Sequence, residues 1–205
     1  VVYDSRIWLI GGSDEQGRKN DVWSSTDGSS WTCINANASW VARSRHASVV
    51  HKDKIWLFGG FGSPEGYKND IWCSEDGTSW TLVTEHAQWS GRENHSATVF
   101  QDSIWIVKDD VWRSPDGTSW TQTAGANPWW GPRFGQTSLA YDNQLWVLGG
   151  WGDVGFNDVW SSPDGSWWTE MVRFAPWPYR KGHTSLVFDG KMWILGGFGI
   201  RHAEP

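Results

Sequence analysis

Two cysteines in 205 residues, Cys33 and Cys73, are too few for a disulfide framework, and their spacing is not that of a zinc site. The default reading is two small buried hydrophobes, with a single bridge between neighbouring units as the alternative. No apolar run approaches the length of a membrane span, so no membrane insertion is expected. No stretch of ten or more residues carries a 3.6-residue period, which excludes the helical classes. Positive charge is also scarce: 17 Lys and Arg stand against 23 Asp and Glu, for a net charge of −6. A general phosphate-binding surface is therefore not expected, nor is nucleic acid as a partner. Compartment is marked only by two glycosylation sequons, Asn37-Ala38-Ser39 and Asn94-His95-Ser96, which lean toward an extracellular or lumenal setting.

What the chain has in abundance is tryptophan, 20 residues, and glycine, 24. Five apolar runs each carry one tryptophan: Ile7-Trp8-Leu9-Ile10, Ile55-Trp56-Leu57-Phe58, Ile104-Trp105-Ile106-Val107, Leu145-Trp146-Val147-Leu148 and Met192-Trp193-Ile194-Leu195. Four of them end in Gly-Gly, and their tryptophans lie 48, 49, 41 and 47 residues apart. A second series, Trp23, Trp72, Trp112 and Trp160, follows Asn-Asp or Asp-Asp and one apolar residue; a third, Trp31, Trp80, Trp120 and Trp168, precedes threonine. Self-similarity at this period belongs to stacked supersecondary units. The apolar segments are four to eight residues long and bounded by turn formers, so they read as strands, four per unit. In the second unit these are strand A near His46 to Val50, B at Lys54 to Phe58, C at Asp70 to Ser74 and D at Ser79 to Val83.

Strands C and D are joined by Ser-x-Asp-Gly turns around Asp27, Asp76, Asp116 and Asp164. Asp-Gly supplies the positive φ of a tight hairpin, and the carboxylate accepts local N–H groups, so these aspartates are read as structural turn residues. Their spelling resembles the Asp-box of sialidase-type propellers, one residue shorter. A four-stranded antiparallel unit repeated around an axis is a β-propeller blade. Gly-Gly closing strand B, an aromatic in strand C, a tryptophan in strand D and Arg-x-x-His leading into strand A resemble the kelch repeat, in the variety grouped with the galactose oxidase central domain. Kelch units usually carry tyrosine in strand C, with a shorter gap to the next tryptophan. The expected fold is all-β, a kelch-type propeller forming one array: residues 1–34, 46–83, 94–123 and 135–172 as blades and 182–205 as part of a fifth. Val1-Val2-Tyr3-Asp4 matches the end of a strand A, and the fifth blade has only strands A and B. The expectation is a piece of a ring of six or seven blades, or a ring completed by other chain segments. The third unit is about eight residues short where Val107-Lys108 replaces Gly-Gly and its loop, either a genuine deletion or an omitted B–C loop.

Between strands D and A the chain writes Trp40-x-x-Arg43-x-x-His46, Trp89-x-x-Arg92-x-x-His95, Trp130-x-x-Arg133-x-x-Gln136 and Trp177-x-x-Arg180-x-x-His183. The kelch resemblance implies that D–A and B–C loops share one face around the channel mouth, with Trp40, Arg43, Trp89, Arg92, Trp129, Trp130, Arg133, Trp151, Trp177 and Arg180 as candidate ligand-face residues. Tryptophan and arginine dominate binding hot spots, and an arginine ring suits a carboxylate or acidic peptide. The competing reading is architectural, because a residue present in every unit is one that every unit needs. Departures from the repeat are more informative for function: Trp129 beside Trp130, Phe134, Gln136, Trp151, Phe156, Glu65, Tyr67 and Tyr179. The resulting expectation is a non-enzymatic module that binds a protein or peptide, alone or as a subunit of a larger assembly, without metal or cofactor. A glycan-binding propeller is the first alternative, and an enzyme of galactose oxidase or sialidase type the second. The four tyrosines and two cysteines show no register for cross-linked copper chemistry, and identical repeating arginines are poor evidence for a sialidase triad.

Overall fold

The computed structural model describes residues 1–62, 64, 66–125 and 129–199, and every described element is a strand. They fall into two compact units: Val1–Glu93 with the turn Pro115–Trp120, and Asn94–Ser114 with Thr121 onward. In the first unit, β1 (Val2–Tyr3), β2 (Arg6–Asp14), β3 (Gly17–Ser25) and β4 (Thr32–Asn35) form one antiparallel meander. After β5 (Arg43–Ser44) come β6 (Ala47–His51), β7 (Lys54–Gly62), β8 (Gly66–Ser74) and β9 (Thr81–Thr84), which form the next. The two-residue β5 pairs with both β3 and β7 and stitches the meanders into a nine-stranded sheet. In the second unit, β10 (Ser96–Phe100), β11 (Ser103–Val107), β12 (Val111–Ser114) and β13 (Thr121–Ala124) make one four-stranded sheet. A second comprises β14 (Thr137–Tyr141), β15 (Gln144–Trp151), β16 (Gly155–Ser162) and β17 (Thr169–Val172), and β18 (Thr184–Phe188) pairs with β19 (Lys191–Leu195).

Gly-Gly does not close strand B, as the sequence suggested. In β7 the strand runs on through Gly59 and Gly60 to Gly62, with a register shift between Phe58 and Gly60. Both glycines have positive φ, 53° and 98°, the geometry of a β-bulge that bends the strand end. Space matters as much as φ here. A Cβ at Gly60 would lie 2.8 Å from the His46 Cβ and 2.9 Å from the Ser44 carbonyl oxygen. The glycine is what allows the D–A loop to lie against the bulge, and Gly150 against Gln136 repeats the arrangement.

Each core is built by one tryptophan covering one turn. The Asp-Gly turns are tied identically: Asp27 Oδ1 accepts the N–H groups of Ser29 and Ser30 at 2.7 Å, and Ser25 Oγ accepts that of Gly28 at 2.8 Å. Asp76, Asp116 and Asp164 repeat the Asp bonds. Those N–H groups, with the Ser25 hydroxyl, hold the Asp27 carboxyl down to about 2. The six-membered ring of the strand-B tryptophan of the preceding repeat packs against the turn glycine, Trp8 on Gly77 and Trp56 on Gly117 in the first unit, and Trp105 on Gly165 in the second. Around them pack Ile10, Val22, Ile55, Leu57 and Trp80 in one unit, and Phe100, Val107, Val111, Leu145, Val147 and Trp168 in the other. Of the two cysteines, neither bridged, Cys73 is buried, whereas Cys33 is exposed, correcting the expectation for that residue.

Gly77 and Gly28 occupy the same turn position with φ near 70°, but Gly28 meets only the Ile7 Cδ1, at 3.7 Å. Gly28→Ala is expected to cost about 1 kcal/mol, the positive-φ penalty alone. Gly77→Ala adds displacement of the Trp8 ring and is expected to cost about 2–4 kcal/mol. Urea unfolding midpoints of the two variants measure the difference.

Candidate functional site

The repeated arginines are the first site residues to locate, because their donors show what they are for. Arg43 is fully buried. Its Nε–H donates to the Val41 carbonyl at 3.1 Å, Nη1 to the Gly59 carbonyl at 2.8 Å and to Asp70 Oδ1 at 2.6 Å, and Nη2 to Asp70 Oδ2 at 2.7 Å. Arg133 in the second unit repeats the fork on Asp158, at 2.6 and 2.8 Å, with Nη1 on the Gly149 carbonyl at 3.0 Å and Nη2 on that of Trp130. Burial pushes the Asp70 carboxyl up. The Arg43 fork and the Trp72 indole N–H outweigh it and hold the group below its usual range. Asn-Asp-x-Trp thereby acquires a mechanical meaning. Asn69 donates to the Ala87 and Trp89 carbonyls at 3.2 and 3.0 Å, fixing its own D–A loop, while Asp70 grips the arginine of the preceding loop. Asn157 and Asp158 do the same.

Trp40, Trp89 and Trp130 are buried beside these forks, edge-on to Trp80, Trp120 and Trp168 at 5.8, 4.5 and 4.5 Å between ring centroids. Arg92 is buried as well, with Nε on the Ser90 carbonyl at 3.1 Å. Six of the ten candidate ligand-face residues, Trp40, Arg43, Trp89, Arg92, Trp130 and Arg133, are therefore interior. This corrects the expectation of an open arginine and tryptophan ring: planar side chains recurring in every repeat are used to lock one D–A loop to its neighbours. Arg180 is half-buried on the Gly196 carbonyl at 2.8 Å, and Trp177 lines an apolar cleft of about 580 Å³ with Trp146, Met192 and Trp193. Trp151 is half-buried and bridged to Phe134. Trp129 alone is open, 57% exposed, stacked 5.4 Å from the equally open Trp167.

The histidine of Arg-x-x-His is also a fastener. His46 is hydrogen-bonded to the Ile10 backbone, and in the third repeat Gln136 Nε2 donates to the equivalent Val107 carbonyl at 3.0 Å.

The surface left for a ligand is made by departures from the repeat. In the first unit the B–C turns and D–A loops enclose a cleft of about 510 Å³ lined by Ser13, Arg18, Ser44, Arg45, Phe61, Tyr67 and Glu93. Arg18 lies over the Phe61 ring, 4.3 Å from its centroid, and Tyr67 packs edge-on to Phe61 at 5.4 Å. Arg45 Nη1 donates to Glu93 Oε1 at 3.0 Å. Its φ is +57°, where the other repeats place Asn94, Gly135 and Gly182. In the second unit the Lys181 Nζ stands 4.8, 5.3 and 6.0 Å from the ring centroids of Phe134, Trp151 and Phe198. Backbone bridges Phe134 to Trp151 and Lys181 to Phe198 hold this cluster. Sequence reasoning flagged Phe134, Trp151 and Tyr67 but missed Arg18, Arg45 and Lys181; Glu65 lies outside the described residues. The missed signal was legible in Arg45, a bulky residue where the others are Asn or Gly.

Repeated antiparallel meanders with tryptophan-covered Asp-Gly turns and loops locked by Arg–Asp forks define a repeat protein of the β-propeller class. Residues 1–197 match the family model described as the KLHDC2/KLHL20/DRC7 kelch-repeats domain, and the chain belongs to the kelch-repeat family. No curated protein matches it significantly. Domains of this family are typically protein-interaction propellers and generally non-enzymatic.

Two outcomes follow for the locking residues. Arg43→Ala strands a buried carboxylate and several carbonyls and is expected to cost about 3–5 kcal/mol, with Arg43→Lys recovering only part because it cannot form the fork. Arg18→Ala, which breaks no hydrogen bond, should leave the melting temperature nearly unchanged. Burial, then the Arg43 charge, hold His46 down to about 4 against an ordinary 6.5. Below 6.5 the unfolded chain takes up a proton that the folded chain refuses, so stability is complete above 6.5 and declines as pH falls toward 4. His183 acts in the same sense. His46→Gln should fold, since Gln136 fills that role natively, and should reduce the loss of urea midpoint between pH 7 and 5.

Proposed function

We propose that this chain is a non-enzymatic binding module that takes a protein or peptide on the face built by its D–A and B–C loops, as part of a larger assembly. The observation that carries the reading is the first-unit cleft. It gathers, beside half-buried Phe61, exposed Tyr67 and two arginines where the repeat requires none of these three, and it holds Arg45 in a backbone conformation that costs a bulky side chain about 1 kcal/mol or more. The positive φ itself belongs to the repeat, which uses it at Asn94, Gly135 and Gly182, so the departure lies in the choice of arginine at that position and not in the conformation. Aromatic and arginine side chains lining an open cleft are what peptide interfaces use as anchors.

The burial of Trp40, Trp89 and Trp130 takes three of the six loop tryptophans away from the stacking surface that a lectin reading needs. Against the enzyme readings, Tyr3 and Tyr141 donate their hydroxyls to backbone carbonyls at 2.8 and 2.6 Å. Arg43 and Arg133 are committed to Asp partners.

Selection of phage-displayed random peptides on the purified chain tests this. Selected peptides should bind the parent chain and lose about tenfold or more in affinity for Tyr67→Ala while keeping it for Trp167→Ala. Peptides indifferent to Tyr67→Ala, or a glycan array whose hits quench tryptophan fluorescence with no peptide selected, would overturn the reading.

A further inference from the structure

The arginines of this chain divide sharply by how many of their donors are used. Arg43 and Arg133 commit both terminal nitrogens to carboxylate and carbonyl oxygens in the interior. Arg18 is the opposite case. It makes no hydrogen bond or ion pair among the described residues, and its one partner is the π face of Phe61. The nearest acid in its hairpin, Asp14, is taken by Lys19 at 3.0 Å. A guanidinium held over a π face spends no N–H on a hydrogen-bond acceptor, so its donors remain available. The side chain is ordered before any ligand arrives, and no hydrogen bond has to be broken to use it.

The same arrangement occurs independently in the second unit with different residues. The Lys181 ammonium is ringed by Phe134, Trp151 and Phe198 and has no carboxylate within salt-bridge distance among the described residues. Cations seated on rings and lacking a counter-ion among the described residues, Arg18 and Lys181 and also Arg173 over Phe174, are notable in a chain of net charge −6, where acids are available to pair with them. Beside Arg18, Arg45 uses one terminal nitrogen on Glu93 and is otherwise open, 60% of its side chain lying in solvent. Charge in the cleft is therefore positive: two arginines against one glutamate.

We propose that the peptide taken by the first-unit cleft is acidic, and that Arg18 reads its carboxylates while the adjoining Tyr67 and Phe61 receive neighbouring apolar side chains. This rests on the loop-face binding proposed above. It assigns recognition to a cation that breaks the repeat and removes it from Arg43, Arg92 and Arg133. A carboxylate fits the free edge of Arg18 as a two-bond fork, and partial exclusion of water by the rings strengthens each contact.

The experiment takes the strongest peptide from the random selection and a synthetic counterpart with every Asp and Glu replaced by Asn and Gln, and measures both by calorimetry against the 205-residue chain. The selected peptides should be rich in Asp and Glu, and the amide counterpart should bind about tenfold or more weakly. Arg18→Glu should weaken the acidic peptide by a similar factor and should gain affinity for a peptide with Lys in place of its acids. That charge-swap rescue is a result no folding defect produces, and thermal melts confirm that the variant folds. Equal binding of the amide counterpart, or an acidic peptide unaffected by the Arg18 reversal, overturns the assignment while leaving the peptide-binding face standing. No peptide selected at all removes both. A duplex DNA oligonucleotide bound in an Arg18-dependent way would also overturn it, by showing that the cation serves phosphate.

Discussion

A buried guanidinium cannot be left half-bonded, and in this chain that constraint organises the loops. Arg43 leaves water completely, which is tolerable only because Asp70 supplies a two-bond fork and the Gly59 and Val41 carbonyls take further donors. Every partner fixes something else. The Gly59 carbonyl is presented by the bulge that Gly-Gly permits; Asp70 is oriented by the Trp72 indole; Asn69, beside it, ties down the next D–A loop. A short list of residue types, Arg, Gly-Gly and Asn-Asp-x-Trp, therefore recurs together because each is a component of one lock. A fork of this kind contributes little net stability beyond an apolar replacement, but it admits one geometry, so its gain is register between successive meanders.

The tryptophans work on the other side of the same problem. A four-stranded meander has too little thickness to bury itself and must be covered by its neighbours. Trp8, Trp56 and Trp105 are wide enough to lie across a whole Asp-Gly turn, provided the turn residue below has no side chain. Glycine there serves twice, for φ and for contact. The edge-on pairs such as Trp89 with Trp120 fill the adjacent space in an arrangement that aromatic rings favour.

How much of this was legible in the sequence follows from how local each feature is. The Asp-Gly turns and strand-B tryptophans are spelled within a few adjacent residues and repeat, so the blade could be read directly. The Arg43–Asp70 fork spans 27 positions and two repeats. The motif series showed both residues without showing that they meet, and the exposed arginine ring was inferred in its place. The recurrence of an acid in phase with the arginine was the available clue. Arg18 and Lys181 lie in turns and loops whose composition varies between repeats, and nothing in the sequence says that Arg18 will rest on Phe61 some 43 positions away. Cross-repeat ring contacts of that kind are decided by loop conformation, which the pattern of apolar residues does not encode.

Repetition and recognition place opposite demands on an arginine. A lock requires the terminal donors paired and water excluded, as in Arg43 and in Arg133, whose Nε alone is unpartnered among the described residues, and a side chain so buried has nothing left with which to bind a ligand. Recognition requires donors that are ordered but unused. Stacking on an aromatic ring meets that second requirement, because it restrains the guanidinium without consuming an N–H. The residue after Gly-Gly is where this becomes possible: it is Phe61 in the second repeat, Trp151 in the fourth and Phe198 in the fifth, each paired by its backbone to a D–A loop residue, Ser44, Phe134 or Lys181. The lock thus builds the shelf on which the variable cations sit. Substitutions at Ser44, Phe134 or Lys181 can change what the face reads without touching the Arg–Asp fork behind it, which is how a repeat fold keeps its architecture while its ligand changes.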